Sequence, residues 1–184
     1  MDPFVIIEKY YDPKSKLYHI LIQHSIKVRD FALEIAKNNL ELNPDLEFIK
    51  EASMLHDIGI FQTNAQEIFC SGTHKYIEHG TLGKNLLEKE GFPKHGLVCE
   101  RHTGVGLTKK DIIARQLPLP KKDMIPQTIE EEIICLADKF YGKLPKENHQ
   151  KKSIETIEKD LRKHGENNVI KFRELCKKYK LTIT

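Results

Sequence analysis

No run of apolar residues in this chain approaches the ~20 that a helix needs to cross a bilayer, so no membrane span is expected. The first residues, Met1-Asp2-Pro3-Phe4-Val5-Ile6-Ile7-Glu8, lack a basic leading stretch and meet an acid early, so no signal peptide is expected either. Cysteine is sparse. Cys70, Cys99, Cys135 and Cys176 lie far apart without a Cys-x-x-Cys pair, which argues against a zinc ribbon or a disulfide framework and suits reduced thiols in a cytoplasmic protein. Net charge is only +3, too small to imply a nucleic-acid partner. Internal repeats, low-complexity stretches, long linkers and alternating strand patterns are also missing.

Charge of one sign is scarce overall but not locally. From Lys139 onward, 13 Lys/Arg stand against 6 Asp/Glu, which leaves the first 138 residues acidic. The basic stretch reads as a solvated face, with attraction of an anionic substrate or partner as the alternative.

What the chain does have is helical periodicity. Its 184 residues suit one domain, with a central part over about 17–141 and basic helices over about 151–180. Leu17, Leu21, His24, Val28, Phe31 and Ile35 alternate at spacings of four and three, which predicts one helix from Lys16 to about Leu40. Asp45 caps a second helix that Gly59 is placed to end. The segment from Phe61 to Lys75 has no period and reads as a loop, the natural place for substrate specificity. Further helices are expected over about Tyr76 to Glu90, Pro93 to His102, Thr108 to Gln116, Thr128 to Tyr141, Ser153 to His164 and Asn168 to Lys180. The fold class is therefore all-α: a single helical bundle of about 7–9 helices.

Within these apolar helices stand residues that are costly to bury without partners. His24 replaces an expected Leu or Val in the first stripe, and His56 does so at the end of the second, followed directly by Asp57. His79 shares a face with Leu82 and Leu86, and Gly83, one turn on, leaves room for a cation or substrate. His102 follows Val98 by four, and Asp138 follows Ile134 by four. Any one of them is more readily a hydrogen-bonded core residue. For six together, a shared metal centre satisfies at once what would otherwise need six separate buried partners. His19, His74, His95, His149 and His164 fall outside the pattern and read as surface residues.

A histidine on an early helix, a His-Asp pair and a later aspartate resemble the defining pattern of the HD-domain superfamily, matched by His24, His56-Asp57 and Asp138. The string Leu55-His56-Asp57-Ile58-Gly59 strengthens the likeness, which spans roughly Leu17 to Tyr141. It implies a helical core and a metal-dependent phosphohydrolase in which those four residues bind one cation and Asp57 bridges to a second. Glu78-His79-Gly80-Thr81-Leu82-Gly83 and Arg101-His102-Thr103-Gly104-Val105-Gly106 are similar to the further histidine segments of binuclear members, which implies a second site at His79 and His102. Three departures stand out. Ile60 lies where many such enzymes carry a lysine, Arg101 interrupts a tandem histidine, and the Gly-Tyr-Pro signature is absent, so cyclic dinucleotide hydrolysis is not the default.

The expected function is hydrolysis of a small phosphate ester, a nucleotide among the candidates, with one or two divalent ions (Mn, Fe, Co, Ni, Zn or Mg) activating water. Asp57 would hold the attacking oxygen in line, and Lys75 and Arg101 would contact the phosphate. Two alternatives share the ligand set: a di-iron oxygenase, and a non-catalytic nucleotide-binding domain.

Overall fold

The computed structural model describes residues 1–144 and 150–181. Among these the chain forms nine α-helices: α1 (Pro3–Ile7), α2 (Lys16–Lys37), α3 (Leu46–Leu55), α4 (His79–Lys89), α5 (Pro93–Arg101), α6 (Lys109–Ala114), α7 (Ile129–Lys139), α8 (Ile154–Arg162) and α9 (Glu166–Lys178). The all-helical expectation holds with one small exception. Inside the segment from Phe61 to Lys75, β1 (Asn64–Ala65) pairs antiparallel with β2 (Cys70–Ser71), in the register Asn64 to Ser71 and Ala65 to Cys70. Strands of two residues are too short to show an alternation, so their pattern was invisible.

The helix starts follow from their caps. Ser15, Asp45, Thr108, Thr128 and Ser153 each present a side-chain oxygen to a backbone N–H of the first turn. The same chemistry makes α1, which periodicity did not reveal: Asp2 accepts from the Phe4 N–H at 3.0 Å, and Pro3 takes the first helical position, where its missing N–H does no harm. α2 stops at Lys37 rather than near Leu40 because Asn39, fully buried, turns back on it. Its Nδ2 donates to the Ile35 carbonyl at 2.9 Å and to the Tyr179 carbonyl at 3.3 Å, tying the helix end to the C-terminal region. α4 begins at His79, one short 3-10 turn (Tyr76–Glu78) later than expected.

Apolar residues gather in two main clusters. One joins Val28, Phe31 and Ile35 of α2 to Ile133 and Leu136 of α7 and to Phe172 of α9. The other joins Leu21 of α2 to Ile7, Leu55, Ile58, Ile60 and Leu87. α2 contributes to both, and His24 lies on it between Leu21 and Val28, at the seam. The two C-terminal helices close the first cluster: Ile157, Leu161, Val169, Phe172 and Cys176 are all buried, each large side chain stabilising by roughly 1.5–3 kcal/mol. An ion pair from Arg173 to Glu158, at 2.6 Å, ties α9 to α8. Their basic residues lie on the outer side, so this part of the charged segment is a face of the same bundle. No helix among the described residues is long and apolar enough to cross a membrane.

Candidate metal centre

Six polar side chains meet at the seam, each delivered by a helix end or a helix interior. His24 comes from the middle of α2, His56 and Asp57 directly follow α3, His79 opens α4, His102 follows α5, and Asp138 is the penultimate residue of α7. α2 packs on α3 and α7, and α4 on α5, which brings these positions together. All six are buried, His24, His56 and Asp57 completely.

The ligand atoms form two groups that share one residue. His24 Nε2 lies 3.1 Å from Asp57 Oδ2 and 3.1 Å from Asp138 Oδ1, and His56 Nε2 lies 3.1 Å and 3.4 Å from the same two oxygens. On the other side, His79 Nε2 and His102 Nε2 are each 3.4 Å from Asp57 Oδ1 and 3.1 Å from one another. Asp57 thus presents a different oxygen to each group. Within each group the candidate ligand atoms lie within 4.8 Å of one another.

Three of the rings are aimed by the same local device. Nδ1 of His56 contacts the Ser53 carbonyl at 2.7 Å, Nδ1 of His79 the Tyr76 carbonyl at 2.6 Å, and Nδ1 of His102 the Cys99 carbonyl at 2.8 Å. In each case the carbonyl lies three residues back. With Nδ1–H donating to a carbonyl, the Nε2 lone pair is left to face the cluster, the tautomer that suits a metal ligand.

Charge explains why this arrangement fits a cation. Both Asp57 oxygens are buried, with only imidazole nitrogens and the Lys143 ammonium facing them among the described residues. With both Nδ1 atoms donating to carbonyls, the facing Nε2 lone pairs of His79 and His102, 3.1 Å apart, favour a positive charge between them. Burial works against charge on Asp57 and Asp138. His56 and Lys143 beside Asp57, and Lys139 and Lys143 beside Asp138, outweigh it and hold both carboxyls well below the usual range. Burial likewise opposes charge on His56, but Asp57 and Asp138 prevail and raise its pKa to about 9. His79 is pushed down to about 3, chiefly by burial, and burial also lowers His102. Four imidazoles and two ionised carboxylates make a donor set for divalent ions.

Beside Asp138 opens a cavity of about 370 Å³, walled by Tyr76, Lys139, Lys143 and Lys152 on its polar side and by Ile157 and Leu161 on its apolar side. Glu67 and Ile68, from the segment holding the two short strands, complete its rim. The nearest cation to the cluster is Lys143. Its Nζ lies 2.6 Å from Asp57 Oδ2 and 3.9 Å from Asp138 Oδ1, and Lys139 Nζ lies 2.8 Å from Asp138 Oδ2. Sequence reasoning passed over Lys143, because a lysine in a Gly- and Pro-containing turn looks like any solvated lysine. The available signal was its distance of five residues from Asp138, past the end of an apolar helix.

Lys75 and Arg101 are not brought to this cavity. Lys75 is exposed ahead of α4. Arg101 turns away and pairs with both carboxylate oxygens of Glu131, at 2.8 and 3.0 Å, bracing α5 against α7. Arg101→Ala should therefore leave phosphate binding unchanged and destabilise the fold by about 3 kcal/mol, because Glu131, only 5% exposed, loses its cation and keeps, among the described residues, only the Gln127 N–H at 2.7 Å. A urea melt together with a phosphate titration checks both halves.

Three other sequence expectations need correction. Gly83 does not make room for an ion: a Cβ there would meet Cys99 Cβ at 3.2 Å and Gly59 N at 3.3 Å, so the glycine serves close packing. Gly59 does not end α3, which stops at Leu55; it lies in a 3-10 turn pressed against α4. His95 is not a surface residue but is buried beside Phe48 and Phe92, with Nε2 3.2 Å from Glu51. His19, His74 and His164 are exposed as expected, and His149 lies outside the described residues.

Comparison with known proteins agrees with this geometry. The family model for the HD domain matches residues 21–143. The uncharacterized protein MJ0778 of Methanocaldococcus jannaschii is 36% identical over 121 residues, covering 64% of each chain. A tRNA (cytidine(56)-2'-O)-methyltransferase of Thermoplasma volcanium is 30% identical over 143 residues, which make up 73% of this chain but only 38% of that protein. Among solved structures, the HD domain of the phosphodiesterase PgpH from L. monocytogenes superimposes with a TM-score of 0.51 at 18% identity, over 89% of this chain and 85% of that one, a likeness of fold.

Proposed function

We propose, from the premise that this chain belongs to the HD-domain family, that it is a metal-dependent hydrolase of small phosphate esters. The observation that carries the reading is the split carboxylate of Asp57, one oxygen toward His24 and His56 and the other toward His79 and His102. His24, His56, Asp57 and Asp138 would hold one ion, and Asp57, His79 and His102 a second. With four imidazoles among six ligands, a transition metal such as Mn, Fe, Co, Ni or Zn suits the set better than Mg. Ions bound there supply Lewis acidity, lowering the pKa of water toward neutrality and polarising a phosphoryl oxygen.

The rest of the work falls to the chain. The three Nδ1–carbonyl contacts fix ring orientation, so the ligand geometry is set before the substrate arrives. Lys139 cannot roam, since its Nζ also donates to the His102 carbonyl at 3.3 Å. With Lys143 and Lys152 it brings three ammonium groups to the adjoining cavity, each beside a carboxylate (Asp138, Asp57 and Asp160) with which a phosphate group would compete. Ile157, Leu161 and the ring of Tyr76 offer an apolar surface for the organic part of an ester. A volume of about 370 Å³ lies in the range of small-ligand sites, which favours a compact substrate over a polymer. Methyl transfer is no part of the proposal, because the methyltransferase it resembles is a much longer protein matched over 38% of its length.

The test is to purify the protein without chelator, measure bound metals, and screen phosphate esters with Mn, Co and Fe restored. Steady phosphate release in the absence of oxygen supports hydrolysis, whereas turnover that consumes oxygen would transfer the assignment to a di-iron oxygenase. His79→Ala should lower the metal content from two ions toward one and reduce the rate, while the group at His24, His56 and Asp138 keeps its ion.

A further inference from the structure

Lys143 stands on both sides of the boundary between the cluster and the cavity. Its side chain is 13% exposed, and its Nζ reaches Asp57 Oδ2, the oxygen that also faces His24 and His56. The same side chain lines the cavity beside Tyr76 and Lys152. It projects from residues 141–144, which have no regular secondary structure, so neither a helix nor a strand restricts where the ammonium lies. Meanwhile Ile60 is wholly buried in the second apolar cluster, which leaves that position with no cation to offer a phosphate. An ion bound by the first group and an ammonium 2.6 Å from the shared oxygen would compete for the same lone pairs.

We propose that Lys143 is an exchangeable counter-ion of this site: its ammonium neutralises Asp57 and Asp138 until a divalent ion takes its place, then turns into the cavity and binds the substrate's phosphate. The inference rests on the metal-centre reading given above. Exchange of this kind breaks no covalent bond, and one cation simply replaces another against two carboxylates. It gives the protein a way to keep its buried carboxylates paired at every stage of loading, which matters because an uncompensated buried charge is strongly destabilising. It also couples loading to substrate capture, since one of the three lysines at the cavity becomes available to a phosphate only once the ion is seated.

The experiment titrates Mn²⁺, by calorimetry, into chelator-stripped full-length wild type, Lys143→Met and Lys143→Gln. It then titrates inorganic phosphate into the Mn²⁺-loaded forms, and a melting curve confirms that each variant is folded. Both variants should bind the first Mn²⁺ about tenfold more tightly than wild type, and loaded variants should bind phosphate about tenfold more weakly. Before loading, both should melt at a lower temperature, a deficit that Mn²⁺ removes. Equal or weaker Mn²⁺ binding by the variants would overturn the proposal, as would unchanged phosphate affinity. If wild type takes up no Mn²⁺ at all, the metal-centre reading itself fails, an outcome distinct from the other two.

Discussion

Asp57→Asn should lower phosphate release by roughly 10³-fold, the scale of losing a key electrostatic group in an active site, and should strip at least one of two bound ions. The reasoning is stereochemical. Asparagine keeps the size and position of aspartate but has one acceptor oxygen instead of two, and its amide nitrogen carries two hydrogens that cannot ligate a cation. In the native site Oδ2 faces His24 and His56 while Oδ1 faces His79 and His102. Whichever way the amide turns, one group meets N–H in place of a lone pair. The loss should therefore fall on the site the nitrogen faces, with the other weakened by the missing charge. Elemental analysis of the purified variant, alongside circular dichroism to confirm folding, gives the answer. Full metal content with normal turnover would falsify the bridging role.

Gly59→Ala should be strongly damaging, although the residue offers the site no ligand. A Cβ at Gly59 would lie 2.3 Å from the His79 carbonyl oxygen and 2.5 Å from the Gly83 nitrogen, both backbone atoms that cannot rotate away. Relief requires the turn Ile58–Gln62 and α4 to separate, and α4 begins with His79. Overpacking of this kind costs about 3 kcal/mol or more, which lowers the melting temperature by roughly 6–12 °C for a chain of this size. The displacement should also deplete the ion at His79 and His102. Gly83→Ala is the control. Its Cβ would meet its nearest neighbours at 3.2–3.3 Å, two of the three being side-chain atoms of Cys99, so its effect should be clearly milder. Equal melting temperatures for the two variants would show that this contact does not set the spacing of turn and helix.

The two glycines also mark the limit of what the sequence disclosed. His24, His56, Asp57, His79, His102 and Asp138 were legible because a polar residue inside an apolar stripe contradicts its surroundings, and six such contradictions invite one explanation. The helices were legible for the same reason, through the spacing of Leu21, Val28, Phe31 and Ile35 and through caps such as Asp45 and Thr128. Gly59 was read as a helix stop and Gly83 as clearance, since periodicity reports which face a residue occupies and not which backbone lies 3 Å away. Lys143 and Arg101 show the matching problem for charge. Both are basic residues near ligands in the chain, and only the course of the backbone sends one to Asp57 and the other to Glu131. The strands β1 and β2 and the helix α1 were missed because segments of two to five residues carry too little pattern to register.

The contacts from His56, His79 and His102 to carbonyls three residues behind have a bearing on assembly. Each ring takes its heading from its own turn of chain, so these ligands come pre-pointed as short modules, and long-range folding has only to bring the modules within range. The entropy of orienting the rings is then spent locally and early, and little remains to be lost when an ion arrives. Lengthening a connection between the modules, such as residues 90–92 between α4 and α5, should therefore change how quickly the centre forms far more than how tightly it holds.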